Sequence, residues 1–220
     1  VPVIGCTCEV CQSLDYRDKR LRSSVFIEIE NQSFVVDTGP DFRQQMLRHQ
    51  VKRVDAVMFT HAHRDHPAGL DDVRAYNFMQ QMDMPVYGPP QVLHQLQVEY
   101  AYAFAKEYYP GIPRLTMTAI NGERFSVNGI HFTPLPVLHL HMPVTGFRVE
   151  NFSYITDAKS IPPETIARLK GTDILVLNAL QKEQHISHFN LSQALEIVDM
   201  IRPRHTYFTH ISHKMGLHSD

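Results

Sequence analysis

The sequence predicts an α+β fold, a β-sheet sandwich flanked by helices with its chemical motifs on loops at one edge. Three observations predict it. Short runs rich in β-branched and aromatic residues recur along the chain. A few longer helical patterns fall between them. The two kinds of segment do not alternate strictly, as an all-parallel βαβ sheet would require.

The elements follow in order. After a cysteine-bearing segment, 1–24, VFIEIE (Val25 to Glu30) alternates with period two and reads as a strand. SFVVDTG follows the turn-like Asn31-Gln32, which makes a hairpin. AVMFT (Ala56 to Thr60) is a short buried-type strand that delivers THAHRDH at its end. MPVYG, HFTPLP, GFRVE, FSYITD, DILVLNAL and HTYFTHI are further strands. Gln91 to Lys106 reads as a long helix, and Ile161 to Lys170 as one opened by Pro162-Pro163 and closed by Gly171. Asn190 to Ile201 has an N-cap asparagine and Gln193 placed for a capping box, with Leu191, Ala194, Leu195, Val198 and Ile201 on one face. Residues 1–220 read as one domain.

Composition narrows the function. Hydrophobic residues make up 43% and charged residues 20% of the 220, so a packed core is expected and wholesale disorder is not. A net charge of −2 offers no general basic surface, so nucleic acid is not an expected partner. No apolar run reaches the roughly 18 residues of a membrane span. Histidine stands out at 14 residues. The 3 cysteines, Cys6, Cys8 and Cys11, all fall in the first dozen residues. Clustered thiols without partners suit a metal site in a reducing, cytoplasmic compartment.

THAHRDH, Thr60 to His66, carries the chemistry. Neutral imidazoles with a carboxylate suit zinc, iron or manganese. Solvated loop histidines are the competing reading, and the density of ligands just after a strand weighs against it. Four ligands on so short a loop do not all reach one ion comfortably. They can serve two, His61 and His63 on one, Asp65 and His66 on the other. The remaining ligands have to come from other strand ends: His139 or His141 in HLH, Asp157 after Thr156, and His210 and His213 in THISH. An extended segment would point His139 and His141 to the same face. Cys6-x-Cys8-x-x-Cys11 supplies three thiolates. A closed structural zinc wants four ligands, so a histidine has to complete it; three metal-free thiols are the alternative.

The set GCTCEVC, VVDTGPDF, THAHRDH, PLPVLHLHMPVTGFR, YITDA, HISHFNL and THISH resembles the metallo-β-lactamase superfamily, and within it the PhnP-like phosphodiesterase branch. The resemblance spans nearly the whole chain and implies an αββα sandwich, here trimmed at both ends. It implies that His61, His63 and His139 hold one divalent ion (manganese, zinc or iron). Asp65, His66 and His210 would hold a second, with Asp157 bridging. His139, seven residues before Gly146, is favoured over His141. Asp37 would stand behind the ligand loop; a turn carboxylate is its other reading. His213 would join the cysteines around a structural zinc.

The implied activity is hydrolysis of small, including cyclic, phosphodiesters. A hydroxide bridging two ions that lower the pKa of water from about 15.7 toward 7 would attack phosphorus. His188 of HISHFNL would be the general acid, since an imidazole titrating near about 6.5 suits that task. His185 has no motif match. Arg148 and Lys159 read as phosphate contacts or surface charges. Gly39 and Gly69 read as turn glycines. Gln91 to Tyr109, with its tyrosines, reads as core, rim or a homodimer face. The alternatives are an RNA-processing nuclease, a thioesterase or lactonase of the same superfamily, and a non-catalytic accessory protein like PqqB.

Overall fold

The computed structural model describes residues 1–105 and 110–220. Its described residues form two sheets and six α-helices. In chain order these are α1 (Glu9–Gln12), β1 (Val25–Ile29), β2 (Gln32–Val36), α2 (Phe42–Arg48), β3 (Ala56–Met58), α3 (Arg74–Gln80), β4 (Met84–Gly88), α4 (Pro90–Glu99) and β5 (Leu115–Ala119). There follow β6 (Phe125–Val127), β7 (Ile130–His139), β8 (Met142–Val149), β9 (Phe152–Ile155), α5 (Pro163–Leu169), β10 (Ile174–Asn178), α6 (Leu191–Ile201) and β11 (His205–Thr209). The chain divides into two compact units, Arg22–Glu123, and Val1–Leu21 with Arg124–Asp220.

The Arg22–Glu123 unit holds one sheet in the order β1-β2-β3-β4-β5, antiparallel at β1-β2 and parallel beyond. Ile29 pairs with Gln32, so the hairpin turn is Glu30-Asn31, one residue earlier than expected. Both turn residues have positive φ, 48° and 61°, the backbone that matches the twist of two antiparallel strands. Phe34, Val35, Val36, Ala56, Val57 and Met58 are fully buried, as short central strands covered on both faces must be. Phe42 of α2, Tyr76 of α3 and Leu96 of α4 pack into the same core. Val36 pairs with Met58, so Asp37 and the segment from Phe59 onward leave the sheet at one end.

The helix expected over Gln91 to Lys106 stops at Glu99 and passes into a 3₁₀ turn, Ala101–Phe104. Residues 106–109, and with them Tyr108 and Tyr109, lie outside the described residues. β5 and α2 were not expected. β5 is half exposed and alternates threonine with its apolar residues, and α2 has seven residues, too few for a periodic signal.

The other unit holds a sheet in the order β11-β10-β9-β8-β7-β6. β9, β10 and β11 are parallel; β6 to β9 are antiparallel. α6 has the expected capping box: Asn190 Oδ1 accepts from the Gln193 amide, and Gln193 Oε1 from the Asn190 amide. Its buried face is Ala194, Ile197 and Ile201, flanked by Leu191 and Val198. Leu195 is exposed, because it lies about 100° around the helix from Ala194. Ile155 pairs with Leu177 and Asn178 with Thr209, so Asp157, the loop after β10 and His210 emerge at one end of the parallel strands. β7 runs in the same direction as β9, two antiparallel steps away, and ends in His139. Loops at the carboxyl ends of parallel strands are the usual place for ligand sites in such sheets.

Candidate metal centres

In the Arg22–Glu123 unit the site is built from the end of β3. The Thr60 amide donates to Asp37 Oδ1 at 2.9 Å, and its hydroxyl to Asp37 Oδ2 at 2.8 Å. His61 Nδ1 lies 2.9 Å from the same hydroxyl oxygen. A hydroxyl has one proton, which here goes to the carboxylate, so His61 Nδ1 must be the donor. His66 Nδ1 is 2.7 Å from Asp37 Oδ2, both side chains fully buried, and an ionised carboxylate only accepts. Asp37 thus fixes both rings as Nδ1–H tautomers with Nε2 unprotonated, the form and the support that metal-binding histidines need. Asp37 does stand behind the ligand loop, and at φ 65° it is in the strained left-handed region. The His61 ring centroid is 4.1 Å from that of His66 and 4.8 Å from that of His63, which is exposed. Asp65 Oδ2 lies 3.6 Å from His66 Nε2.

Gly39 and Gly69 are close-contact glycines, and Gly69 lies in a turn as expected. A Cβ on Gly39 would sit 2.3 Å from the Asp65 carbonyl oxygen, and one on Gly69 2.2 Å from that of Gly39. The ligand loop lies directly on this backbone. Tyr100 donates its hydroxyl to the Pro67 carbonyl at 2.8 Å, and Arg64 pairs with Glu99, so the end of α4 and the residue after it also hold the loop.

The other unit carries the remaining predicted residues. His139 Nδ1 donates to the Asp157 carbonyl at 3.0 Å, which makes Nε2 the unprotonated nitrogen of the ring. Asp157, 2% exposed and at φ 58°, accepts from the Thr156 hydroxyl at 2.6 Å. Its Oδ1 is 3.1 Å from His210 Nε2 and 3.8 Å from His188 Nδ1. Ligand-capable atoms of His139, Asp157 and His188 all lie within 4.8 Å of one another. The His188 ring packs against His139 at 4.4 Å, His210 at 4.8 Å and His185 at 5.1 Å. His139 pairs with Met142, so Leu140 and His141 form the turn and His141 is exposed. The turn ends the extended backbone that would have put both histidines on one face.

Burial pushes the His188 imidazole down to about 3, with His210, His139 and His185 adding to the effect against the pull of Asp157. His188 is therefore neutral in the resting protein and does not titrate near 6.5. His185 is lowered too, by burial first and then by the Lys159 charge. Lys159 is no phosphate contact here: its Nζ donates to the His185 carbonyl at 2.7 Å, Gln193 Oε1 at 3.0 Å and the His188 carbonyl at 3.4 Å. Arg148 is bound to the carbonyls of Glu150, Arg168, Lys170 and Gly171 around the end of α5. Asn178 was missed. Its buried amide donates to the Ala158 carbonyl at 2.9 Å and accepts from the Ala158 amide at 2.8 Å, locking the residue after Asp157. An asparagine ending the apolar run DILVL was the available signal.

The cysteines and His213 converge. Sγ of Cys6, Cys8 and Cys11 each lies 3.4 Å from His213 Nδ1. Zinc bonds of about 2.3 Å to sulfur and about 2.05 Å to nitrogen at a tetrahedral angle give an edge of about 3.5 Å. The quartet fits zinc. The Cys11 amide, and next His213, hold the Cys8 thiol down to about 6, toward the thiolate that a metal requires. The imidazole and carboxylate groups of the other sets suit a borderline divalent ion.

The Beta-lactamase superfamily domain model matches residues 32–211. The chain belongs to the metallo-β-lactamase superfamily, a hydrolytic group whose members typically bind divalent metals. A crystal structure described as a new diphosphatase from the PhnP family is similar over 100% of this chain and 84% of its own, with 37% identity and a TM-score of 0.92. Within the superfamily this chain is PhnP-like. It is also 34% identical over its whole length to an octanoyltransferase of Porphyromonas gingivalis (strain ATCC BAA-308 / W83), and spans 45% of that relative. Zinc-bound PqqB from Methylobacterium extorquens shares the fold, with a TM-score of 0.73 and 19% identity over 96% of this chain and 85% of its own. No helix among the described residues is long and apolar enough to cross a membrane.

Proposed function

We propose that the chain is a metal-dependent phosphodiesterase acting on small phosphoesters. The observation that carries this is the array around Asp157: His139 and His210 as ligands, with His188 buried against both. By the superfamily resemblance, His61, His63, Asp65 and His66 would supply the remaining ligands for two ions. When bound, two divalent ions would acidify water and neutralise charge on a phosphoryl group. Asp37 fixes the tautomers of His61 and His66, and the Asp157 carbonyl that of His139. His188, neutral and buried, hydrogen-bonds the phosphoryl oxygens. As the anionic substrate binds beside it, the ring takes a proton from solvent, and as imidazolium it passes that proton to the leaving oxygen. The likeness to a PhnP-family diphosphatase supports phosphorus as the reacting centre.

The octanoyltransferase relative suggests acyl transfer instead. Against this, the three thiols of the chain lie on His213, and the described ligand-capable groups around Asp157 are the imidazoles of His139, His188 and His210. The test is steady-state hydrolysis of bis(p-nitrophenyl) phosphate, with a diphosphate ester, a thioester and a lactone in parallel and metal content measured on the same sample. Turnover of the phosphorus substrates that Asp157→Ala abolishes is the expected result. Turnover of the thioester or lactone alone would overturn it, and inertness toward all four would favour an accessory role.

A further inference from the structure

Next to His188 stands a second histidine whose setting is equally specific. His185 Nδ1 accepts the Ser187 amide at 3.3 Å, with the Ser187 hydroxyl 3.4 Å away. A backbone amide can only donate, so in the neutral ring the proton is on Nε2. Lys159 pins the His185 carbonyl at 2.7 Å and reaches Gln193 of the α6 capping box at 3.0 Å. The loop is thereby anchored to α6, and the lysine charge is spent on carbonyls rather than offered to a ligand. The His185 ring is only partly buried and packs 5.1 Å, centroid to centroid, from His188, whose own ring is 4.4 Å from His139. A solvated loop histidine would have none of these restraints. Here backbone, hydroxyl and lysine hold one imidazole so that its remaining nitrogen is a donor beside the Asp157 array.

We infer that His185 is a substrate-binding residue: its Nε2–H hydrogen-bonds a non-bridging oxygen of the substrate phosphate, alongside His188. This rests on the phosphoesterase reading above and extends it. An imidazole donor binds the anion in ground and transition states alike, so its loss should appear in binding more than in turnover.

The experiment compares metal-loaded wild type, His185→Ala and His185→Gln. The affinity for inorganic phosphate is measured by calorimetry, kcat and KM on bis(p-nitrophenyl) phosphate, and metal content on each sample. The expected result is phosphate binding and KM weakened about tenfold in His185→Ala, as for one lost hydrogen bond to an anion. kcat should stay within about threefold. Metal content should be unchanged, and His185→Gln, which keeps a donor, should recover most of the affinity. Unchanged phosphate affinity in His185→Ala would overturn the inference, even with wild-type diester turnover intact. Lost metal, with no recovery in His185→Gln, would overturn it as well by making His185 a metal-site or structural residue. Wild type that binds phosphate in a His185-dependent way yet hydrolyses no diester would leave the contact standing and sink the phosphodiesterase reading.

Discussion

Asp37 accepts three hydrogen bonds, from the Thr60 amide, the Thr60 hydroxyl and His66 Nδ1, and through them sets two imidazole tautomers. Asparagine has the same shape but half the accepting capacity. Asp37→Asn should weaken metal binding about 10- to 100-fold in a chelator-competition titration, the usual cost of a lost outer partner. Unaltered affinity would mean that His61 and His66 need no such support. Tyr76 gives a pH-dependent case. Burial pushes its phenol up to about 12, and its hydroxyl donates to the Val51 carbonyl at 3.1 Å. The unfolded chain loses this proton near pH 10 and the folded one only near 12, so between these values the folded state binds more protons. Stability should therefore fall as pH rises from about 10 to 12. Tyr76→Phe should flatten that fall in urea denaturation; an equally steep fall would refute the assignment.

Elements hold the sites by close backbone contact. Gly39 lies against the Asp65 carbonyl at a distance that excludes even a methyl group. Gly39→Ala must displace the ligand loop, and both the melting temperature and the metal content should drop; a variant that binds metal as wild type would show that the loop can shift freely. Asn178, at the end of β10, bonds both backbone groups of Ala158. Asn178→Ala leaves those buried groups unpaired and should cost about 1–3 kcal/mol in denaturation. His139 was legible because it ends a long β-pattern, whereas its separation from His141 depends on a two-residue turn that spacing does not reveal.

On the scale of the molecule, the quartet of Cys6, Cys8, Cys11 and His213 joins the first residues to the segment after β11, within one unit of the fold. Cys8→Ser should lower zinc by about one ion per chain. It should also expose the segment between Ser13 and Leu21 to protease, since the quartet fastens that end of the chain. Zinc content equal to wild type would place the ion elsewhere. The mixed sheets place their loops at the carboxyl ends of parallel strands, so residues as distant in sequence as Asp157 and His210 come to 3.1 Å.

Sequence alone determined the ligand types, the strand-to-loop setting of THAHRDH, the cysteine spacing and the Asn190 capping box, because each is a local pattern over a few residues. Tertiary structure alone decided how those residues behave. It turned His141 outward, engaged Lys159 and Arg148 with backbone carbonyls, made contact surfaces of Gly39 and Gly69, and exposed Leu195 in favour of Ile197. It also drove His188 far below the ordinary histidine range. Burial and hydrogen-bond partners come from residues far apart in the chain, and no spacing rule encodes them.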